Sequence, residues 1–377
     1  MRVANKRILL YLGKFPGYGF DIDGGSILAS QLIDTLKKRA ILDVVFIRKN
    51  KEVLIDPEIN SIRYVEYIDA FNNKFVRRLK NLTTNQIAIG DYTHYDIIIT
   101  AHISKFFGME AAPSDFWDKT VLFPMFLTPS YKRAGEQVPT VYTEHERDVL
   151  KKVRKIITPS FAEKHDLIDY YGIDSNKISV IYRGINPAFV PATKIFTPSL
   201  IKIAYIGSIK IQKNPISALS VLSKIIDAGK NAELHYIGTI QDSLLYEQLL
   251  HYIERNNLST NVHFHIEISQ QSIADLLKNM DINISVSNWE TFGRGIFEGI
   301  AAGLPTFVPS HLKCIRDICK DNIGVVFCDS DTMMALEIIK LIDQPEEYPI
   351  RKASLLHIAE QVSFYTERRK LIAEILE

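Results

Sequence analysis

The 377-residue chain is 46% hydrophobic and 24% charged, a balance that excludes global disorder and lets each half bury its own core. At roughly 100–200 residues per domain two domains are expected, and the absence of eighteen consecutive apolar residues excludes a transmembrane helix. The net charge of +1 hides an asymmetry: residues 1–190 hold 27 basic and 22 acidic side chains (net +5), and the remainder holds 18 and 22. A mildly basic half suits an anionic partner or a membrane surface, but without interleaved aromatic motifs it excludes nucleic acid as a partner.

The opening MRVANKRILLYLG has a charged start and a short apolar run without a small-residue cleavage site. It reads as a first buried strand rather than a signal peptide, so a cytoplasmic location is expected. RILLYLG, LDVVFIR, DIIITAH, TVLFPMF, KIITPS and ISVIYRG then read as strands buried on both faces, separated by amphipathic stretches such as SILASQLIDTLKKRA. Such alternation predicts parallel βαβ units. Gly24, Gly25 and Ser26 open the first of these helices, and Asp21 and Asp23 before them read as loop or cap residues. FNNKFVRRLKNL, residues 71–82, interleaves Phe71, Phe75, Val76 and Leu79 with Lys74, Arg77, Arg78 and Lys80. On a helix this segment could rest peripherally on the inner face of an anionic membrane; a plain surface helix is the alternative. SKFFGMEAAPSDFW, residues 104–117, places four aromatics in what reads as a loop.

The pattern stops at residues 185–200, INPAFVPATKIFTPSL, a proline-containing linker. It restarts with IKIAYIGS, AELHYIGT, NVHFHI, INISVS, PTFVP and GVVFCDS, again alternating with helical stretches. The expected fold class is therefore α/β, with two Rossmann-like, doubly wound parallel-sheet lobes facing across a cleft. Cys314, Cys319 and Cys328 lack metal-ligand spacing and read as reduced, buried thiols. No zinc spacing or Walker loop occurs, so no metal site and no resident cofactor are expected.

The chemistry concentrates in SVSNWETFGRGIFEGIAAGLPTFVP, residues 285–309. A strand leads into a loop with Gly293 and Gly295, then into a helix expected to start near Ile296 and to end at Gly303 before Leu304-Pro305. Glu290 lies in the loop and Glu298 in the expected first turn, with seven residues between them. An open helix N-terminus suits phosphate, and glycine lets the backbone approach a ligand closely. Two carboxylates beside it can each accept hydrogen bonds from hydroxyl groups. The combination describes a site for a nucleotide-diphosphate sugar; a cap and a solvated loop residue are the alternative for the two glutamates.

ETFGRGIFEGIAAGLP resembles the E-x7-E motif of the retaining nucleotide-sugar glycosyltransferases of family 4, which have the GT-B fold. KIITPS followed by KISVIYRGINPAFVP resembles the passage closing that family's first lobe, with Asn186 where an acidic residue is common. IAYIGSIKIQKNP resembles the loop opening its second lobe. There Lys213 holds the family's lysine position, while Ser208 follows Gly207 where arginine is usual and Lys210 stands nearby. The resemblance implies a metal-independent glycosyltransferase that retains anomeric configuration. Residues 1–188 would form an acceptor lobe, 189–353 a donor lobe, and 354–377 a helix crossing back to the first lobe.

By the same resemblance, the donor is a nucleotide-diphosphate sugar, with uridine the expected base and guanosine the alternative. Gly24 and Gly25 would approach its phosphates, Lys210 and Lys213 would hold the diphosphate, and Glu298 would bind the ribose. Glu290 with Phe292 and Gly293 would bind the sugar. The expected catalytic groups are Glu290, Lys213 and His102, the last being the histidine placed in the first lobe, with His145 a second candidate. The acceptor is expected to be a glycan, a lipid-linked glycan or a small glycoside. Two rivals remain: a nucleotide-sugar epimerase of the same architecture, and a non-catalytic donor-binding subunit of a transferase complex.

Overall fold

The computed structural model of the chain describes residues 6–12, 24–48, 56–66, 89–101, 103, 109, 111–125, 127–133, 135 and 137–377. His102, Asp21, Asp23 and the basic stretch 71–82 lie outside the described residues. The chain divides into two units, one of residues 1–181 with 368–377, the other of residues 182–367. It passes between them at Ile181/Tyr182 and Glu367/Arg368 rather than at 188/189 and 353/354. The first shift has a local cause. Ile185 pairs with Ser363 as an isolated parallel bridge, which draws the start of the expected linker into the second unit.

The first unit contains β1 (Arg7–Leu12), β2 (Ile41–Arg48), β3 (Ser61–Glu66), β4 (Ile97–Ala101), β5 (Thr120–Phe123), β6 (Lys155–Thr158) and β7 (Ile178–Val180). Among the described residues these form one parallel sheet in the order β3-β2-β1-β4-β5-β6-β7. Alternate residues of β1 feed two cores: Ile8, Leu10 and Leu12 pack on one face, Leu9 and Tyr11 on the other. This two-sided burial is why the strand reads as an unbroken apolar run. Phe116 and Trp117, expected in a loop, instead end the short helix Ser114–Trp117 and are buried, with Trp117 Nε1 donating to Ala112 O at 3.1 Å. Burying two large rings outweighs leaving them in water.

The second unit holds β8 (Ile201–Ile206), β9 (Ala232–Gly238), β10 (Val262–Ile266), β11 (Ile282–Ile284), β12 (Thr306–Pro309) and β13 (Val325–Cys328), all parallel, in the order β10-β9-β8-β11-β12-β13. Its core joins Ile203 and Tyr205 of β8 to Leu234 and Tyr236 of β9 and to Leu219 and Leu222 of the helix Pro215–Asp227. In each sheet the order reverses beside its first strand, the switch point at which open parallel sheets bind ligands. Residues 354–377 are not one helix: Glu347–Gln361 and Phe364–Leu376 are separate, and Leu371, Ile375 and Leu376 complete the first unit's core. Cys314, Cys319 and Cys328 are buried free thiols, and burial pushes Cys319 and Cys328 up to about 12.

Candidate active site

The second unit's switch point lies between β8 and β11, paired from Ile203↔Ile282 to Tyr205↔Ile284. Two loops leave their carboxyl ends. The first, after β8, runs through Gly207, Ser208 and Lys210 into the short turn Ile211–Lys213, and Asn214 (φ 47°) then starts the helix Pro215–Asp227. This tight return lays the Lys213 stem over Gly207, where an added Cβ would sit 3.5 Å from Lys213 Cδ. The second loop, after β11, is tied to the first. Asn288 N donates to Gln212 O at 2.9 Å, Asn288 Nδ2 to Ile211 O at 3.1 Å, and Gln212 Nε2 to Trp289 O at 3.0 Å.

That cross-bracing brings Lys213 and Glu290 together as an ion pair. Ser287 Oγ donates to the same carboxylate oxygen at 2.8 Å. The Glu290 side chain is only 7% exposed and that of Lys213 18%, so the pair is poorly screened by water. Cys314 Sγ–H donates to Glu290 O at 3.3 Å, fixing the backbone behind the carboxylate. A cation and an anion thus meet where the switch point would receive a ligand.

Beside them starts the helix Arg294–Ala301, two residues earlier than the sequence suggests. Gly293 caps it at φ 85° without a side-chain hydrogen bond, a conformation that glycine adopts without steric cost. Gly295 belongs inside the helix because it rests on β8: a Cβ there would strike Ile206 O. Gly299 likewise leaves room for the side chain of Asn283 on β11. The positive end of the helix therefore sits next to Glu290, whose Cγ would lie 3.6 Å from a Cβ on Gly293. Phe292 stacks on Phe297 with centroids 4.5 Å apart and is 4% exposed, so its ring belongs to the packing beneath the loop.

The earlier start moves Glu298 to the second helical turn, four residues after Arg294. Glu298 is 3% exposed; burial pushes its carboxyl up, while Arg294, Gln270 and Lys213 oppose that shift. Burial also lowers Arg294, whose Nη1 donates to Gly184 O at 3.0 Å. Glu367, equally buried, is raised by burial against the pull of Arg183 and Arg294. Glu298 thus shares a buried charge cluster with Arg294 and Glu367. The Arg294–Glu298 spacing was readable as an i,i+4 pair; Gln270 and Glu367 arrive from distant elements with no local signal.

Ser208 Oγ, at the position expected to carry arginine, accepts from Thr239 Oγ1 at 2.9 Å, and Lys210 immediately precedes the Ile211–Lys213 turn. Gly24 and Gly25 begin the helix Gly24–Leu36 in the first unit. His145 lies in the helix Thr140–Lys152. The neighbouring Glu146, not singled out in the sequence, accepts from Thr128 Oγ1 at 2.6 Å and Tyr171 OH at 2.5 Å, a buried brace of that unit.

Residues 22–189 match the family model Glycosyltransferase Family 4, and residues 195–353 match Glycosyl transferases group 1. This chain belongs to the family 4 glycosyltransferases. One similar relative is the GDP-mannose-dependent alpha-(1-6)-phosphatidylinositol dimannoside mannosyltransferase of Mycobacterium tuberculosis, 25% identical over 42% of this chain and 39% of its own length. The alignment thus spans well under half of that relative. Sucrose-phosphate synthase from Thermosynechococcus elongatus superposes with a TM-score of 0.84 at 14% identity, covering 98% of both chains. HepE from Anabaena, solved with UDP and glucose, gives 0.74 at 15% identity over 99% of both. The chain therefore has the GT-B fold. Among its described residues no helix is long and apolar enough to cross a membrane.

Proposed function

We propose that this family 4 glycosyltransferase moves a sugar from a nucleotide-diphosphate donor to an acceptor hydroxyl with retention of configuration, without a metal ion. The Lys213–Glu290 pair at the second unit's switch point carries the reading. Lys213, assisted by Lys210, neutralises the charge that builds on the departing diphosphate. Glu290 and the Phe292-Gly293 backbone orient the sugar, and Glu298 accepts hydrogen bonds from the ribose. In the absence of donor, Glu290 satisfies Lys213; donor phosphate competes for that cation and leaves the carboxylate for sugar hydroxyls.

In this reading the leaving phosphate oxygen takes the acceptor's proton as the new glycosidic bond forms on the same face, so no dedicated side-chain base is required. Gly24 and Gly25 of the first unit serve the donor phosphates, and His102 serves the transferred sugar. The first unit selects a glycan, lipid-linked or small-molecule acceptor, with residues 71–82 the proposed contact to a membrane surface. The base is uridine or guanosine: a similar structure was solved with UDP, and a similar mannosyltransferase uses GDP-mannose.

The test begins with thermal denaturation against a panel of UDP- and GDP-sugars, since a ligand that binds the folded state raises its stability. The stabilising donor is then offered with an acceptor panel, and the product's anomeric configuration is read by NMR. Inversion at the anomeric carbon would exclude retention, and turnover of donor without acceptor would favour an epimerase.

A further inference from the structure

We propose a second ligand site in this chain: a transition-metal site of zinc class formed by Glu233, His235 and His263. Glu233 and His235 alternate along β9, so both project from one face. His263 on β10 is the direct register partner of His235, which brings it to the same face of the neighbouring strand. Their ligand atoms lie within 4.8 Å of one another. Glu233 Oε2 is 3.4 Å from His235 Nε2 and 3.8 Å from His263 Nε2. Tetrahedral zinc with bonds of about 2.05 Å separates its ligands by about 3.3 Å, so small side-chain rotations close the set.

Two observations point to a ligand rather than to incidental crowding. Among the described residues, the Nε2 atoms of His235 and His263 are both buried and have no partner beyond the approach of Glu233 Oε2, and His235 as a whole is 7% exposed. Buried polar nitrogens seldom stay unpaired without a reason. The far side of His235 is already held: its Nδ1 lies 3.0 Å from His265 Nε2. With Nδ1–H donating there, the His235 Nε2 lone pair faces Glu233 Oε2, the arrangement by which an outer partner orients a metal-bound imidazole. The His235 and His263 rings stack at 4.7 Å, presenting both nitrogens side by side.

His263 exposes 41% of its side chain, which gives an ion a path from solvent and leaves room for water as a fourth ligand. Lys202 Nζ, 3.6 Å from Glu233 Oε2, is the competing cation and would swing away on binding. Glu233 and His235 lie five and three residues before Gly238, which packs on Gly207 at the start of the donor loop, so the site is about 10–16 Å along the strand from that loop. The ion would therefore clasp the edge strand β10 to β9 and take no part in sugar transfer.

The test uses tag-free, full-length protein stripped with chelator and titrated with ZnCl2 by calorimetry. Co2+ serves as a spectroscopic probe, and thermal denaturation is followed in parallel. Wild type is expected to bind one ion, to show the visible bands of four-coordinate Co2+, and to gain thermal stability. Glu233→Gln and His263→Asn, both at partly exposed side chains, should each lower affinity at least tenfold while keeping wild-type circular dichroism. His265→Gln should weaken binding without changing stoichiometry. Absence of binding by wild type at 100-fold excess Zn2+, or equal binding by the Glu233→Gln/His263→Asn double variant, would overturn the proposal.

Discussion

Lys213 and Glu290 neutralise each other in a half-dry setting, so each substitution tests both chemistry and packing. Lys213→Ala should lower kcat by about 10²–10³ while changing donor affinity less, because leaving-group charge is greatest late in the reaction. Lys213→Arg should recover part of kcat; steady-state kinetics with saturating acceptor measures both, and a loss confined to KM would remove the leaving-group role. Glu367 offers a pH test. Burial raises its folded-state carboxyl above the ordinary 4.5, so the folded chain keeps a proton that the unfolded chain releases. The stability it contributes is complete at acid pH and declines as pH rises from about 4.5 through the raised value. Glu367→Gln should flatten that decline in thermal midpoints measured from pH 4 to 7. Glu290 and Lys213 were legible as candidates because they stand where the motifs of the resembled family place a glutamate and a lysine. Ser287 and Gln212, which hold them, look like any other polar loop residues.

At the level of elements, the decisive contact is between a helix and a carbonyl. Gly295→Ala adds a methyl that meets Ile206 O, a backbone atom of β8 with no freedom to rotate away. Overpacking of this kind costs about 1–3 kcal/mol, more than the roughly 1 kcal/mol that alanine returns in helix propensity. Gly207→Ala, whose Cβ would find only ordinary contact with a flexible lysine stem, should change stability by less than about 0.5 kcal/mol. Urea unfolding of the two variants distinguishes them, and equal midpoints would refute the steric account. The same contact explains why sequence reasoning started this helix too late: glycine at a second helical position argues against a helix until the strand beneath it is known. β3 escaped notice for a related reason. SIRYVE sits at the sheet edge with Arg63 exposed, and an edge strand lacks the continuous apolar signature of the buried ones.

For the whole molecule, the two units were readable from the interrupted strand–helix alternation, whereas the return of the last segment to the first unit was expected from the family resemblance and not from the pattern. Residues 354–377 read as a single helix; tertiary packing divides the stretch and puts Leu371, Ile375 and Leu376 in the core beside Ile8 and Leu10. Lys155 and Glu374 form an ion pair at 2.5 Å within the same unit. Truncation after Glu367 should therefore loosen the first unit and spare the second. Hydrogen exchange should show lost protection in β1, β4 and β5 with protection kept in β8 and β9; uniform loss would mean that the units do not unfold separately. Leu371→Ala, a milder version, should cost about 2–5 kcal/mol in the first unit alone.

That discontinuity bears on how the protein is made. Residues 182–367 form an uninterrupted stretch that can finish folding once it has left the ribosome. The stretch synthesised before it must wait, with Ile8, Leu10 and Ile99 incompletely covered, until the residues around Leu371 emerge. The portion translated first is thus the last to be sealed. During that interval the nascent chain exposes apolar surface of the kind that chaperones hold.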